Sequence, residues 1–330
     1  MRAAVVGATG YAGQEIVRII MRHPTLSLVA VTSEREAGLS TDRLFPFLRG
    51  GPKIFVSPDQ LEYESFDIIF SCQGAKQATP LFTQWLERGV KIMDLSADFR
   101  FVDQGIYETA YGSHPAPDLL RLAQTGYADE LDITYAPDRP LFGNPGCYPT
   151  GFYLAVGPLV AAGLACPLVI VDGKSGVSGA GRKPQVHLMM GEMAENVAPY
   201  NNPGQHRHTF EMEAVTGGYV TFQPHLMPMA RGMELSIYIP NCSLSLDHIV
   251  DCWHTAYDGN AFVDVLAKGQ KPETQRVRGT NRAELAAAWD NRTHMAVLYV
   301  TLDNLGKGAA GQAVQHVNQW LGWPQTLGLE

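Results

Sequence analysis

Residues Arg2 to Val6 form a short apolar run that leads directly into Gly7-Ala8-Thr9-Gly10-Tyr11-Ala12-Gly13. Glu15, Ile16, Val17, Ile19 and Ile20 then follow at helical spacing. Strand, glycine-rich turn and helix in this order leave the chain few options, because the helix must fold back over the strand. That is the context in which a glycine fingerprint denotes a dinucleotide site. Gly7 permits the turn, Gly10 lets backbone approach a pyrophosphate, and Gly13 allows helix and strand to pack closely. The phosphates rest on the helix N-terminus, whose N–H groups lack helical partners. Thr9, Tyr11 and Ala12 complete the turn as candidate cofactor ligands.

A second strand is expected over Leu26 to Val31, followed by Thr32, Ser33, Glu34 and Arg35. An acidic residue at this strand end suits the ribose hydroxyl of NAD, whereas small hydroxyls with an arginine suit the 2′-phosphate of NADP. Thr32, Ser33 and Arg35 favour NADP, against Glu34. Further strands are expected at Ile54 to Val56, Asp67 to Ser71 and Val90 to Leu95, with a helix over Leu81 to Arg88. Strands alternating with helices imply an α/β fold with a doubly wound parallel sheet. The segment D-L-S-A-D-F-R, 94–100, closes one such strand, and strand ends face the ligand crevice. Arg100 is therefore either an anion ligand or one half of a surface ion pair with Asp98 or Asp103. Residues 103–140 show little periodicity and read as an ordered connector.

The connector delivers Gly143-Asn144-Pro145-Gly146-Cys147-Tyr148-Pro149-Thr150-Gly151, after which the chain turns apolar and helical. Proline and glycine on both sides specify a turn, and a proline just inside a helix start is well tolerated. Cys147 then lies at or just before a helix N-terminus, where free N–H groups favour a thiolate. The plainer alternative is a small residue packed under a turn.

Beyond it, a strand over Leu168 to Asp172 precedes a polar, glycine-rich stretch, 174–184, in which Arg182 and Lys183 suggest an anion-binding loop. His206, Arg207, His208 and Glu211 crowd into six positions. Histidines at i and i+2 without a third well-spaced ligand do not suggest a metal site. One histidine beside a nucleophilic cysteine is the usual acid or base. The rest reads as β-rich, with strands over 219–223, 232–239 and 295–302, a helix over Leu246 to Tyr257, and Arg231 as a weaker ligand candidate. A final helix running from Asp303 to about Trp320 is expected to return to the first domain. The expected division is 1–147 with 304–330 as the NADP-binding domain, and 148–303 as an α+β catalytic and oligomerisation domain.

At 330 residues, two domains are the length expectation. A formal net charge of −8 argues against nucleic acid or anionic membrane as partner. The start shows no signal-peptide pattern and no run is long enough to span a bilayer, so the cytoplasm is expected. Five widely spaced cysteines, an odd number without a C-x-x-C pair, fit neither a disulfide framework nor zinc.

Six segments in order, G-A-T-G-Y-A-G, D-L-S-A-D-F-R, G-N-P-G-C-Y-P-T, K-S-G-V-S-G-A-G-R-K, H-R-H-T-x-E and D-N-L-G-K-G-A-A-G-Q-A-V-Q, span nearly the whole chain. Together they resemble the N-acetyl-γ-glutamyl-phosphate reductases of arginine biosynthesis, relatives of aspartate-semialdehyde dehydrogenase. The resemblance implies an acyl phosphate substrate, NADP(H), release of inorganic phosphate, no metal, and a homodimer or homotetramer. It makes Cys147 the nucleophile and His206 the acid/base, ahead of His208. It makes Arg100 the phosphate-receiving arginine. Ser178, Gly179 and Asn304 fall near the cofactor, and Arg182, Arg207, His208 and Glu211 near the substrate. The chain departs from the family pattern at 126–131 and 282–289. Two rivals are the same chemistry on an aminoadipyl or aspartyl phosphate, and a nucleotide-sensing protein without turnover.

Overall fold

The computed structural model describes residues 1–46, 48, 50–61, 66–182 and 184–330. Lys183, paired with Arg182 in the expected anion loop, lies outside the described residues. The chain forms two compact units, one of 1–128, 134–145 and 309–330, the other of 129–133 and 146–308.

The first unit is built on β1 (Arg2–Val6), α1 (Tyr11–Ile20), β2 (Ser27–Val31), β3 (Ile68–Ser71), α2 (Phe82–Leu86), β4 (Lys91–Asp94), α3 (Gln104–Tyr111), β5 (Ala123–Thr125) and β6 (Leu141–Gly143). Its sheet runs β2-β1-β3-β4-β6-β5. Every pairing is parallel. Parallel strands are covered on both faces and so read as continuous apolar runs. In β3 all of Ile68, Ile69, Phe70 and Ser71 are buried. The doubly wound sheet expected from the sequence is present.

Ile54 and Val56 make only single bridges, Ile54 to Ser40 and Val56 to Thr32, and no strand. The expected connector holds a helix, α3, and one strand, β5, and β6 follows directly after it. Asp103 caps α3 by accepting from Gly105 N at 2.7 Å and Ile106 N at 3.1 Å. α3 buries only Tyr107, and β5 and β6 have three residues each, so none leaves a periodic trace.

The second unit contains α4 (Cys147–Ala161), β7 (Leu168–Gly176), α5 (Met190–Met193), β8 (Ala198–Pro199), α6 (His208–Thr216), β9 (Tyr219–Met227), β10 (Met233–Pro240), α7 (Leu246–Tyr257), β11 (Val263–Val265), α8 (Thr274–Val277), β12 (Ala283–Asp290) and β13 (Met295–Leu302). Its mixed sheet runs β11-β12-β13-β10-β7-β9-β8. β7 and β9 alternate exposed and buried residues, the pattern of a sheet covered on one face. α4, α6 and α7 supply the cover, with Phe152, Trp253 and Phe222 in the core. Trp253 Nε1 donates to Ala155 O at 2.8 Å and Tyr257 OH to Leu154 O at 2.9 Å, fixing α7 on α4.

β7 continues through Lys174, Ser175 and Gly176, residues read from the sequence as loop, because β9 and β10 pair with it along this length. β12 was not anticipated. Its alanines have weak strand preference, and pairing with β13 over its whole length imposes the strand. After β13 the chain makes a π-turn over Gly306–Ala310 and ends in α9 (Gly311–Trp320), which belongs to the first unit. There Asn318 Oδ1 lies 2.9 Å from His23 Nε2.

Candidate active site

In the first unit, Gly7 has φ +77°. Gly7 N donates to Thr32 Oγ1 at 3.1 Å and Ala8 N to Thr32 O at 3.0 Å, so the turn is tied to the end of β2. A Cβ at Gly13 would stand 2.4 Å from Gly7 O, so only glycine fits. At Gly10 the nearest atom would be 3.5 Å away, which leaves the face above the helix open. α1 has no side-chain cap and no acidic residue in its first turn. Unpartnered N–H groups and the positive dipole end therefore fit a dinucleotide pyrophosphate.

Thr9 Oγ1 lies 3.3 Å from Ser33 Oγ, which also accepts from Glu36 N at 3.2 Å. Ser33 is buried and committed to its own loop, whereas Glu34 and Arg35 are exposed.

The loop after β4 is built on two carboxylates without solvent exposure. Asp94 accepts from Ser96 N at 3.1 Å and Ser96 Oγ at 2.6 Å. Burial pushes its pKa up to about 6 against those hydrogen bonds, and Asp98 adds to the rise. Asp98 accepts from Lys76 N at 2.7 Å, Tyr107 OH at 2.7 Å and the Thr79 hydroxyl. The two aspartates considered as surface partners of Arg100 are thus engaged elsewhere, Asp103 as the cap of α3. Arg100 donates from Nε to Asn144 O and from Nη2 to Leu95 O, both at 2.8 Å, which orients its guanidinium.

In the second unit, Cys147 is the first residue of α4. Gly146 is the N-cap, without a side-chain cap and without an acidic residue in the first turn, a setting that favours a thiolate. Gly146 N donates to Glu211 Oε2 at 3.0 Å. A Cβ on Gly146 would stand 2.5 Å from His208 Nε2, and a Cβ on Gly308 would stand 2.7 Å from Cys147 Cβ. His208 Nε2 lies 3.9 Å from Glu211 Oε1.

His206 packs against His208 with centroids 4.8 Å apart, and against Phe222, Tyr148 and Tyr200. Burial lowers its pKa to about 3, with His208 adding to the fall. Its Nδ1 accepts from His208 N at 3.1 Å. The neutral ring therefore carries its proton on Nε2 and presents a donor there.

Glu211 was expected near the substrate. It is 4% exposed and accepts from the N–H of Gly146, the residue before Cys147. Ser178, Gly179 and Asn304 come together: Asn304 Nδ2 donates to Ser178 Oγ at 2.9 Å, and Gly232 N donates to Asn304 Oδ1 at 2.9 Å. Arg182 and Arg207 are exposed, Arg182 after the 3-10 turn Val177–Ala180 and Arg207 as the N-cap of α6. Arg231 Nε lies 3.0 Å from Asp303 Oδ2. Tyr148 and Tyr200 were not picked out from the sequence. Both are buried enough to raise their hydroxyl pKa values, and a Cys147 thiolate raises both further. Aromatic residues close to a motif carry no distinguishing signal in a sequence. Among the described residues no group of three or more His, Cys, Asp or Glu could hold a metal ion. Among them, too, no helix is long and apolar enough to cross a membrane.

Two family models match the two halves of this architecture. Residues 2–120 match the semialdehyde dehydrogenase NAD binding domain, and 147–304 the semialdehyde dehydrogenase dimerisation domain. Aspartate semialdehyde dehydrogenase II from Vibrio cholerae shares the fold, with TM-score 0.74 at 15% identity over 97% of this chain and 98% of that one. The class is thus that of the dinucleotide-binding semialdehyde dehydrogenases. N-acetyl-gamma-glutamyl-phosphate reductases from Geobacter metallireducens and Laribacter hongkongensis are each 39% identical over 340 residues, covering 100% of this chain and 98% of theirs. The chain belongs to the N-acetyl-gamma-glutamyl-phosphate reductase family.

Proposed function

We propose that this chain reduces N-acetyl-γ-glutamyl phosphate to N-acetylglutamate semialdehyde and inorganic phosphate in arginine biosynthesis, with NADPH as the reductant and a thioester on Cys147. What supports this most is the setting of Cys147, at an uncapped helix start with Gly146 N–H held by a buried carboxylate and the His208 ring against Gly146.

The Cys147 thiol gives its proton to His208, which Glu211 faces. The thiolate attacks the acyl carbon, a C–S bond forms, and the C–O bond to phosphate breaks. His208 returns the proton to the departing phosphate, whose charge needs a cation, the role that the family resemblance implies for Arg100. His206, kept neutral by burial, donates from Nε2 to the acyl oxygen. This division differs from the expectation that His206 carries the proton, because a backbone N–H already occupies its Nδ1. When bound, the dinucleotide supplies the hydride that turns the thioester into a thiohemiacetal anion. That anion collapses, the C–S bond breaks, the aldehyde leaves, and the thiolate regains a proton from solvent. Covalent capture splits one hard reduction into easier steps.

NADP is favoured over NAD by exposed Arg35 beside the turn of β2. Arg182 and Arg207 are further anion contacts in this reading, and Ser178, Gly179 and Asn304 form the cofactor-side loop. The enzyme works in the cytoplasm as a homodimer or homotetramer built on the second unit. Exposed Leu168, Ile170 and Tyr219 on its open sheet face support such an assembly.

The test is reduction of NADP by the purified protein with N-acetylglutamate semialdehyde. Turnover that vanishes without phosphate supports the reading. Turnover only with a longer or unacetylated semialdehyde keeps the chemistry and changes the substrate. Tight NADP binding without turnover on any of them leaves a nucleotide sensor.

A further inference from the structure

The side chains of Lys307 and Asp129 form an ion pair with no solvent exposure on either side. Asp129 belongs to the short segment 129–133 that groups with the second unit. Lys307 belongs to the π-turn Gly306–Ala310. Asn260 Nδ2 donates to Asp129 Oδ1 at 3.1 Å, and Lys307 Nζ lies 5.3 Å from the centre of the Phe262 ring. Burial pulls the Lys307 pKa down, and Asp129 opposes it.

A pair buried this deeply is a poor device for stability alone, since apolar residues of similar size often do as well or better. What a charge pair adds is choice of register. It allows one placement of the turn, because any slip strands both charges in an apolar interior. The turn is pinned at its other end as well. Asp303 Oδ1 accepts from Leu305 N at 2.8 Å and Gly306 N at 3.1 Å, and Asp303 O accepts from Gly308 N at 2.9 Å. A Cβ on Gly306 would stand 2.2 Å from Thr280 O, so this backbone has no slack. Irregular turns of this kind are common at functional sites.

The residue after Lys307 is Gly308, whose backbone presses on Cys147: an added Cβ would stand 2.7 Å from Cys147 Cβ and 3.2 Å from its Cα. The wall beside the reactive cysteine is thus the same turn that the buried pair holds. We propose that Lys307 is a positioning residue for Cys147, acting with Asp129 through the main chain of Gly308 to hold the thiol in its reactive orientation. The proposal rests on the assignment of Cys147 as nucleophile.

The test compares Lys307→Met with the double variant Lys307→Met/Asp129→Leu. The single variant leaves a buried carboxylate unpaired and loses stability. The double variant removes both charges and melts at or above the wild-type temperature. Its kcat nevertheless falls on the order of 100-fold while KM for the semialdehyde stays within about twofold. Alkylation of Cys147 by iodoacetamide, followed on its own peptide by mass spectrometry and without substrate, slows severalfold in the double variant. Wild-type kcat and wild-type alkylation in a stable double variant overturn the proposal. So does a double variant that melts far below wild type, which makes the pair a stability element only. If the wild-type protein does not turn over the proposed substrate, the substrate assignment fails on its own, and the alkylation comparison still decides the role of Lys307.

Discussion

Glu211 Oε2 accepts the main-chain N–H of Gly146 at 3.0 Å. A carboxylate in the first turn of α6 therefore holds the residue that precedes Cys147, while its other oxygen faces His208. Removing it should act on geometry before it acts on binding. Glu211→Gln keeps an acceptor for Gly146 but loses the charge facing His208, so kcat should fall roughly 10-fold with KM little changed. Glu211→Ala leaves a buried N–H unpaired and should cost about 1–3 kcal/mol in urea unfolding. Equal loss of activity in both variants without any stability difference would argue against a tether.

Cys147→Ser should lose turnover by about a thousandfold or more, because a serine hydroxyl is a far weaker nucleophile without the thiolate. Dinucleotide binding, followed by fluorescence titration, should be unchanged. Selective alkylation should label Cys147 first among the five cysteines. Cys72 lies at the opposite extreme, since burial and then Asp94 push its thiol far up.

His206 ties stability to pH. Its folded pKa of about 3 lies below the ordinary value of 6.5, so the unfolded chain takes up the proton first. The contribution of the neutral ring is complete above pH 6.5 and is lost as pH falls toward 3, by up to ~1.4 kcal/mol per pH unit. Asp94 slopes the other way. Its folded pKa of about 6 is raised from 3.8, so its contribution is complete below 3.8 and fades as pH rises through 6. Urea unfolding of wild type and His206→Asn at pH 4, 5 and 7 separates the two. The asparagine variant should lose less stability on acidification, and identical slopes would refute the burial of a neutral His206.

Arg35 is exposed at the end of β2, while Ser33 is turned into its loop. Arg35→Ala should therefore raise KM for NADP about 10-fold and leave KM for NAD unchanged, since only the former carries a 2′-phosphate. A parallel rise for both cofactors would place Arg35 outside the phosphate contact.

The elements that agree most closely with the sequence reading are those with strong local patterns. α7 spans Leu246–Tyr257 and β13 spans Met295–Leu302, the expected bounds in both cases. α3, β5 and β12 were missed because each is short or alanine-rich and takes its form from its neighbours. The loop expected at 174–176 is strand for the same reason, with β9 and β10 on either side.

The dinucleotide turn and the helix start at Cys147 follow from sequence alone, because both depend on backbone freedom and N–H groups within a few residues. Gly7 adopts φ +77°, and Gly146 caps α4, where local rules put them. The partners of that cysteine could not be read this way. That Glu211 accepts from Gly146 N–H, that His206 Nδ1 accepts from His208 N–H, and that Asp129 in 126–131 pairs with Lys307 of the last motif are not written in local pattern. Those roles are set by which distant groups share a buried, poorly screened space, and only the packed chain decides that.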